Sequence, residues 1–468
     1  MADESVAAAT ASARPRASAR RLIAPLALAQ FICSFAGSNM NVMITDISHD
    51  LDTTVKGVQT AITLLLLIMA VMMIPCSKLT DRWGRKRCFL IGLVLYGIGA
   101  LLSAVAPGLG VLILGNSVLE GVGTALLIPP VYILATLWFD DLTTRAWAFG
   151  VISGLGGIGA AAGPLIGGVI TSAISWRAAF VFQAAIVATI ILLSRRMTDP
   201  LAADPTRPFD AVGAVLSAVG MFCIVFGILQ AGVNNALFAS FLVVGAAFLL
   251  AFFLYIRSRE RSGKEALLST ALFRNRTTNL ALVTQNIQWL VLMGTSFVVA
   301  VYLQTVRGYS AIGTGVVFTA ATVGILISSL AAERWAKRYA QRTLIITGFG
   351  LTIVGIVLLI GLARATSNIA AFVPGLFLIG FGLGAMLTPS VNVVQSSFPE
   401  EKQGEISGLS RSVSNLGSSF GTAIAGTILV SVVATGSKSY GIAMLSLALF
   451  GLIGLGAALL LPAKVETA

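Results

Sequence analysis

The sequence predicts an all-α polytopic membrane protein: two pseudo-symmetric six-helix bundles plus an inserted helix pair, about 14 transmembrane helices in total. Composition, the spacing of apolar runs and the distribution of basic residues carry this prediction. Of 468 residues, 57% are hydrophobic and only 11% charged, and the mean hydropathy is +0.92. Soluble domains are typically about 45–50% apolar and about 25% charged.

A bilayer core takes about 20 apolar residues per helix. Such runs fall near 23–45, 57–77, 88–107, 109–135, 145–171, 178–194, 210–231, 236–256, 278–304, 311–332, 342–363, 368–391, 406–433 and 440–462. They organise the chain into a disordered cytoplasmic tail (1–22), an N-terminal six-helix bundle (23–200), an inserted helix pair with cytoplasmic linkers (201–277) and a C-terminal six-helix bundle (278–468). The first run is too long for a signal-peptide core, so no cleavage is expected.

With the N-terminus inside, 26 of the 31 Lys and Arg lie on the inner side, Arg411 counted among them. Only Lys56, Arg177, Arg307, Arg364 and Lys438 lie outside. Inner loops of membrane proteins carry such an excess, which predicts a multi-pass protein of the cell inner (plasma) membrane with both termini cytoplasmic. The net charge of +12 is then topological, and no nucleic-acid partner is expected. The partners expected are the lipid bilayer and a small-molecule substrate, with the chain a monomer.

Other classes are excluded one by one. Cys33, Cys76, Cys88 and Cys223 show no CxxC spacing, and His49 is the single histidine, which leaves no metal site, disulfide framework or histidine relay. A membrane-embedded enzyme would need clustered His, Asp or Cys, and a sensor a soluble domain for which the short loops leave no room. Gly154-x-Gly156-x-x-Gly159 fits a dinucleotide fingerprint but follows no strand. There is no Walker A sequence, so no cofactor is implied, and energy must come from an ion or substrate gradient.

The chain is duplicated. SKLTDRWGRKR (77–87) matches SLAAERWAKRY (329–339), and GIGAAAGPLIGG (157–168) matches NLGSSFGTAIAG (415–426). The offsets, 252 and 258 residues, agree within a few positions. Parallel bundle repeats with a site at their interface are the architecture of secondary transporters.

Three motifs resemble those of the major facilitator superfamily, specifically its fourteen-helix drug:proton antiporter branch, and the resemblance covers nearly the whole chain. Residues 77–87 resemble its G-x-L-x-D-R-x-G-R-K loop, with Ser77 in place of the first glycine. Gly159, Gly163, Pro164, Gly167 and Gly168 resemble the fifth-helix antiporter motif. Trp176, Arg177 and Phe180 resemble the W-R-x-x-F opening the sixth helix. The resemblance implies proton-coupled efflux of amphipathic or cationic small molecules by alternating access. The alternative is an uncoupled or differently coupled transporter of a lipid or metabolite.

The same resemblance makes Asp81, Arg82, Gly84 and Arg85 a conformational switch. Asp81 would face the helix starting near Glu405, and Arg85 or Arg82 would pair with Asp140 or Asp141. The plainer alternative is a basic loop that only sets topology. The glycine run is either a conformational seal between the halves or tight helix packing.

Glu120 lies about 16 Å into the fourth helix at 1.5 Å per residue, near the midplane, where a carboxyl marks a functional site by default. It is a proton carrier, a ligand for a cationic or hydroxylated substrate, or a hydrogen-bonded structural acid. Against the family pattern, Ser117 replaces an arginine, Glu120 replaces a glutamine, and the first helix has no acid from Phe35 to Asn41. Asn39, Asn41, Gln285 and Gln288 complete the candidate proton and substrate residues, each readable either as cavity lining or as interhelical glue.

Overall fold

The computed structural model describes residues 22–139, 142–195, 197–200, 203–206, 209–231, 233–336, 338–365, 368–396, 398, 403–431 and 437–462. Among them no strand occurs. The 1–22 tail, apart from Leu22, lies outside the described residues, as do Asp140 and Asp141.

The helices, in order, are α1 (Leu22–Asp50), α2 (Val55–Trp83), α3 (Arg85–Ala104) and α4 (Leu109–Trp138), then α5 (Leu142–Ala173) and α6 (Trp176–Ser194). The inserted pair is α7 (Ala211–Gln230) and α8 (Asn235–Arg261). The second set is α9 (Arg276–Val306) and α12 (Ile369–Gln395), with α10 (Ala311–Ala336), α11 (Gln341–Ala365), α13 (Gln403–Ser431) and α14 (Ser437–Leu459). Among the described residues twelve helices are long and apolar enough to cross a membrane, and α5 makes a thirteenth if its two arms count as one span. The remaining helix, α13, is as long but less apolar: Ser410, Arg411, Ser412, Ser414, Asn415, Ser418 and Ser419 stud its middle.

Local chemistry starts and bends these helices. Thr54, Ser175, Asp210, Asn234 and Asn275 each accept a backbone N–H of the following first turn, satisfying donors that a helix start leaves open. The two arms of α5 meet at 45° between Ala160 and Ala162. Pro164 accounts for the bend, since its ring clashes with the carbonyl of residue i−4, here Ala160. α1 tightens to a 3-10 turn at Met40–Met43, and α4 widens to a π-helix over Ile113–Glu120.

The repeat seen in sequence reappears as packing. α3 lies on α4, with Gly92 against Gly123 and Gly99 against Gly115; α11 lies on α12, with Gly348 against Gly382 and Gly355 against Gly375. A methyl group at Gly99 would stand 2.6 Å from the Gly115 carbonyl, and at Gly355 2.8 Å from the Gly375 carbonyl. Two helix pairs join the halves: α2 with α13 and α5 with α10. α7 packs over both α2 and α13, whereas α8 packs chiefly on α7 and leaves most of its surface bare.

Candidate functional site

Glu120 ends the π-helical stretch of α4 and is wholly buried. Its side chain lies against α3, where a methyl group at Gly99 would sit 2.9 Å from its Cγ. Neither carboxyl oxygen makes a hydrogen bond within 3.5 Å, although the Tyr96 hydroxyl stands close enough to interact with the carboxyl. Beside them stands Tyr96, whose hydroxyl donates to Gln183 Oε1 at 2.5 Å and lies 3.4 Å from the Ile32 carbonyl. Glu120 thus sits inside the N-terminal bundle, among α1, α3, α4 and α6. Leaving a polar group buried without a partner costs about 1–3 kcal/mol, more if charged.

The second copy shows what packing alone requires there. Gly355 is the counterpart of Gly99, and a methyl group at Gly355 would meet Ile379 Cγ1 at 2.8 Å. Ile379 therefore occupies in α12 the place Glu120 occupies in α4. The same helix crossing is built with an apolar side chain, so the acid is not needed to fill the space.

The glycine run of α5 serves two contacts. A methyl group would collide at Gly159 with the Phe31 carbonyl and at Gly163 with Ser38 Oγ, and at Gly167 would come within 3.1 Å of Asn39 Cβ. These three press α5 against α1 within one half. Gly168 and Pro164 instead face α10 across the halves: a methyl group at Gly168 would lie 2.5 Å from the Ala311 carbonyl, and one at Gly315 2.5 Å from the Pro164 carbonyl. The second copy repeats the division, with Gly417 and Gly421 on α9 and Gly426 against Gln59 of α2.

Polar contacts join the halves at both ends. At the end carrying the 77–87 loop, Lys78 pairs with Glu405 at 2.5 Å. At the opposite end, Gln304 of α9 donates to the Asn41 carbonyl at 2.9 Å and accepts the Thr45 N–H at 3.0 Å. Between them, Ser412 donates to the Ala70 carbonyl at 2.6 Å and Ser419 to the Thr63 carbonyl at 3.1 Å.

Asp81 pairs with Arg85, four residues on, at 2.7 Å. The link to the start of α13 shown in the structure runs from Lys78, one turn earlier. Gly84 has φ +91°, a conformation suited to glycine; it lets α3 start directly, with Asp199 accepting the N–H groups of Arg85 and Lys86 at 2.7 and 3.2 Å. Arg82 is half-buried. The pairing expected with Asp140 or Asp141 falls outside the described residues.

The other polar candidates separate. Gln285 accepts the Ser410 hydroxyl at 2.9 Å, a tie between α9 and α13. Gln288 is buried with no partner on its amide, and Asn39 likewise. Asn41 uses its backbone carbonyl in the Gln304 contact, and its side-chain Oδ1 has no partner.

Arg411 was counted in the sequence with the inner loops; the structure corrects this. It lies two turns into α13, where its guanidinium stands 4.9 Å from the ring centre of Tyr132 of α4 and bonds that hydroxyl. The Tyr132 hydroxyl donates to Gln30 Oε1 at 3.2 Å, and Gln30 donates to Ser34 Oγ at 3.2 Å. A polar chain therefore crosses from the second half to α1. Cys33 of α1 lies within electrostatic reach of both Arg411 and Glu120, so α1 separates the cross-half contact from the buried acid. Arg411 carried no sequence signal of this contact, because it falls within two turns of the helix start expected near 406 and so reads as a topology charge; Tyr96, Gln183 and Ile379 carried none either.

The sequence matches the model of the Major Facilitator Superfamily over residues 26–422 and 281–467. It is 30% identical over 363 residues to the multidrug efflux pump LfrA of Mycolicibacterium smegmatis, covering 77% of this chain and 71% of that protein. The puromycin resistance protein pur8 of Streptomyces alboniger is 28% identical over 88% of this chain and 82% of its own length. The riboflavin transporter RibZ of Clostridioides difficile is 23% identical, covering 84% of each. Among solved structures, a peptide transporter POT bound to sulfate superposes with a TM-score of 0.70 at 16% identity, covering 95% of this chain and 96% of that one.

Proposed function

The chain belongs to the Major Facilitator Superfamily and is a multi-pass membrane secondary transporter, and from that premise we propose that it exports amphipathic small molecules in exchange for protons, with Glu120 as the proton-carrying group. The observation that carries this reading is the pairing of Glu120 with Ile379. At matched crossings of the two copies one position holds a buried, unpartnered carboxyl and the other a plain aliphatic side chain. Burying a carboxyl where packing is satisfied without it costs stability, and proton carriage gives that cost a function.

In this reading the two halves rock about the interface formed by α2, α13, α5 and α10. The end bearing the 77–87 loop faces the cytoplasm, as do both termini, and the membrane is the cell inner membrane. Arg411 on Tyr132 is a contact that rocking must break. Cys33 and Ser34 of α1 connect that contact to the Glu120 pocket, so a change in the charge of Glu120 reaches Arg411 over a short path. Arg411 carries a positive charge across the interface between the halves to Tyr132, which favours neutral or acidic amphipathic substrates over cationic ones.

The similarity to resistance and efflux proteins supports export. The test is purified protein in liposomes with an acid lumen and a panel of amphipathic dyes. The wild type accumulates dye as long as the gradient lasts. Glu120→Gln equilibrates dye but does not concentrate it; concentration by that variant would overturn the assignment. A second reading, an uncoupled transporter of a metabolite, is favoured by Ala36, in a stretch of α1 from Phe35 to Asn41 that holds no acid, and by the similarity to a riboflavin transporter. It predicts that the wild type itself only equilibrates.

A further inference from the structure

α8 is an unusual helix in this fold. It packs chiefly on α7, and over its length only Gly245 and Ile256 are buried. At its loop-bearing end the surface changes character. Arg257 and Arg261, one turn apart on the same face, combine with Arg274 from the connection to α9 to line a pocket of about 330 Å³, completed by Glu260, Thr270 and Ala271. A second hollow of about 240 Å³ opens beside it, lined by Phe253 and Phe273 together with Arg257, Thr270 and Arg274. The two phenylalanine rings meet edge to face at 6.5 Å.

The charges in this pocket are only partly spent internally: Arg274 acts on Glu260 electrostatically without forming an ion pair. Glu260 is engaged with Thr270, accepting its N–H at 2.7 Å and its hydroxyl. The neighbouring Arg259 points elsewhere, bonding the Tyr255 hydroxyl at 3.0 Å and the Glu265 carbonyl at 3.0 Å. Arg257, Arg261 and Arg274 are exposed, and no carboxylate forms an ion pair with them among the described residues. Three guanidinium groups therefore face one anionic group across a concave site. Below them, toward the middle of α8, lie Phe253, Leu250 and Leu254, which are 41%, 60% and 55% exposed. A basic cup above a bare apolar stripe matches an amphiphile with an anionic head and hydrocarbon chains.

We propose that this pocket is a binding site for an anionic phospholipid of the leaflet on the loop-bearing side. The phosphate is held by Arg257, Arg261 and Arg274, and the acyl chains lie along Phe253, Leu250 and Leu254. Arginine suits phosphate because its planar fork bonds two oxygens at once, and basic pockets at helix ends hold lipid head groups. The site bridges α8 and the segment leading into α9. That segment is held at Leu267 by Asp210, the residue that also caps α7. Bound lipid would therefore tie the inserted pair to the second half of the transporter.

The test needs no transport assay, so its outcome is independent of the proton-coupling assignment. Purified protein in detergent is titrated with phosphatidylglycerol, phosphatidylcholine or inorganic phosphate, and bound lipid is counted by native mass spectrometry alongside thermal unfolding. Phosphatidylglycerol should bind and raise the unfolding temperature, and the other two should not. The triple variant Arg257→Gln, Arg261→Gln, Arg274→Gln should bind it about a hundredfold more weakly, at roughly fivefold per arginine. Its unfolding temperature without lipid should match the wild type. Arg276→Gln, an exposed arginine outside the pocket, should bind as the wild type does. If the triple variant falls short of wild-type stability, the three single variants are titrated instead, and each should show its fivefold loss. Undiminished phosphatidylglycerol binding in these variants overturns the proposal. Equal stabilisation by inorganic phosphate overturns it as well, because the site would then be one for a free anion.

Discussion

Glu120 and Ile379 hold equivalent places against Gly99 and Gly355, and that equivalence gives a test at the level of one side chain. Glu120→Ile should fold and unfold at or above the wild-type temperature, because exchanging an unpartnered polar group for an apolar one of similar size is neutral or stabilising. A fall of several degrees in thermal unfolding would show instead that the carboxyl is structural. At Tyr132, Phe keeps the ring beneath Arg411 and loses the hydroxyl that reaches Gln30. Tyr132→Phe should slow turnover modestly, and Tyr132→Leu, which loses the ring as well, should slow it further; substrate efflux rates from liposomes decide this. Glu120 was readable from the sequence as an acid inside an apolar run. Arg411 was not, because a basic residue within two turns of a helix end reads as a topology signal. The Ile379 correspondence was hidden because it appears only when the two helix crossings are compared in space.

The elements are held by close backbone approach. Gly421 lets α13 touch α9 at the Leu290 carbonyl, and Gly159 does the same for α5 and α1. Gly421→Leu would push these helices apart and should lower stability by roughly 1–3 kcal/mol, the usual cost of overpacking, measured by unfolding in detergent. The paired glycines were visible in the sequence as small residues on one face, yet that pattern left seal and packing as alternatives. In the structure Gly159, Gly163 and Gly167 lie against α1 and Gly168 against α10. Lys78 and Glu405 join α2 to α13 at one end, about a quarter exposed each. A partly exposed pair is worth roughly 0–1 kcal/mol, so Lys78→Gln should open that end up to about fivefold more often. A cysteine placed at Gly408, which faces Ser77, should then be alkylated correspondingly faster; an unchanged rate would remove this pair from the latch.

The molecule as a whole is two copies of one bundle with a helix pair laid over the α2–α13 side of their interface. Its architecture was open to reading because lipid forces every span to be a long apolar helix and because basic residues mark one side. The exception is instructive: α13 is less apolar than its neighbours, yet it is enclosed by α2, α9 and α14 as well as α7, so its serines bond carbonyls of its own turns and of α2 rather than meeting lipid. The proposed coupling ties rocking of these halves to a proton at Glu120. The most direct measurement is proton movement itself: substrate is added to proteoliposomes holding a pH-sensitive dye, with no gradient imposed. In the wild type each pulse of substrate should drive protons the opposite way, and in Glu120→Gln the signal should vanish while substrate still crosses. A pH change of wild-type size in Glu120→Gln would show that the proton is carried elsewhere.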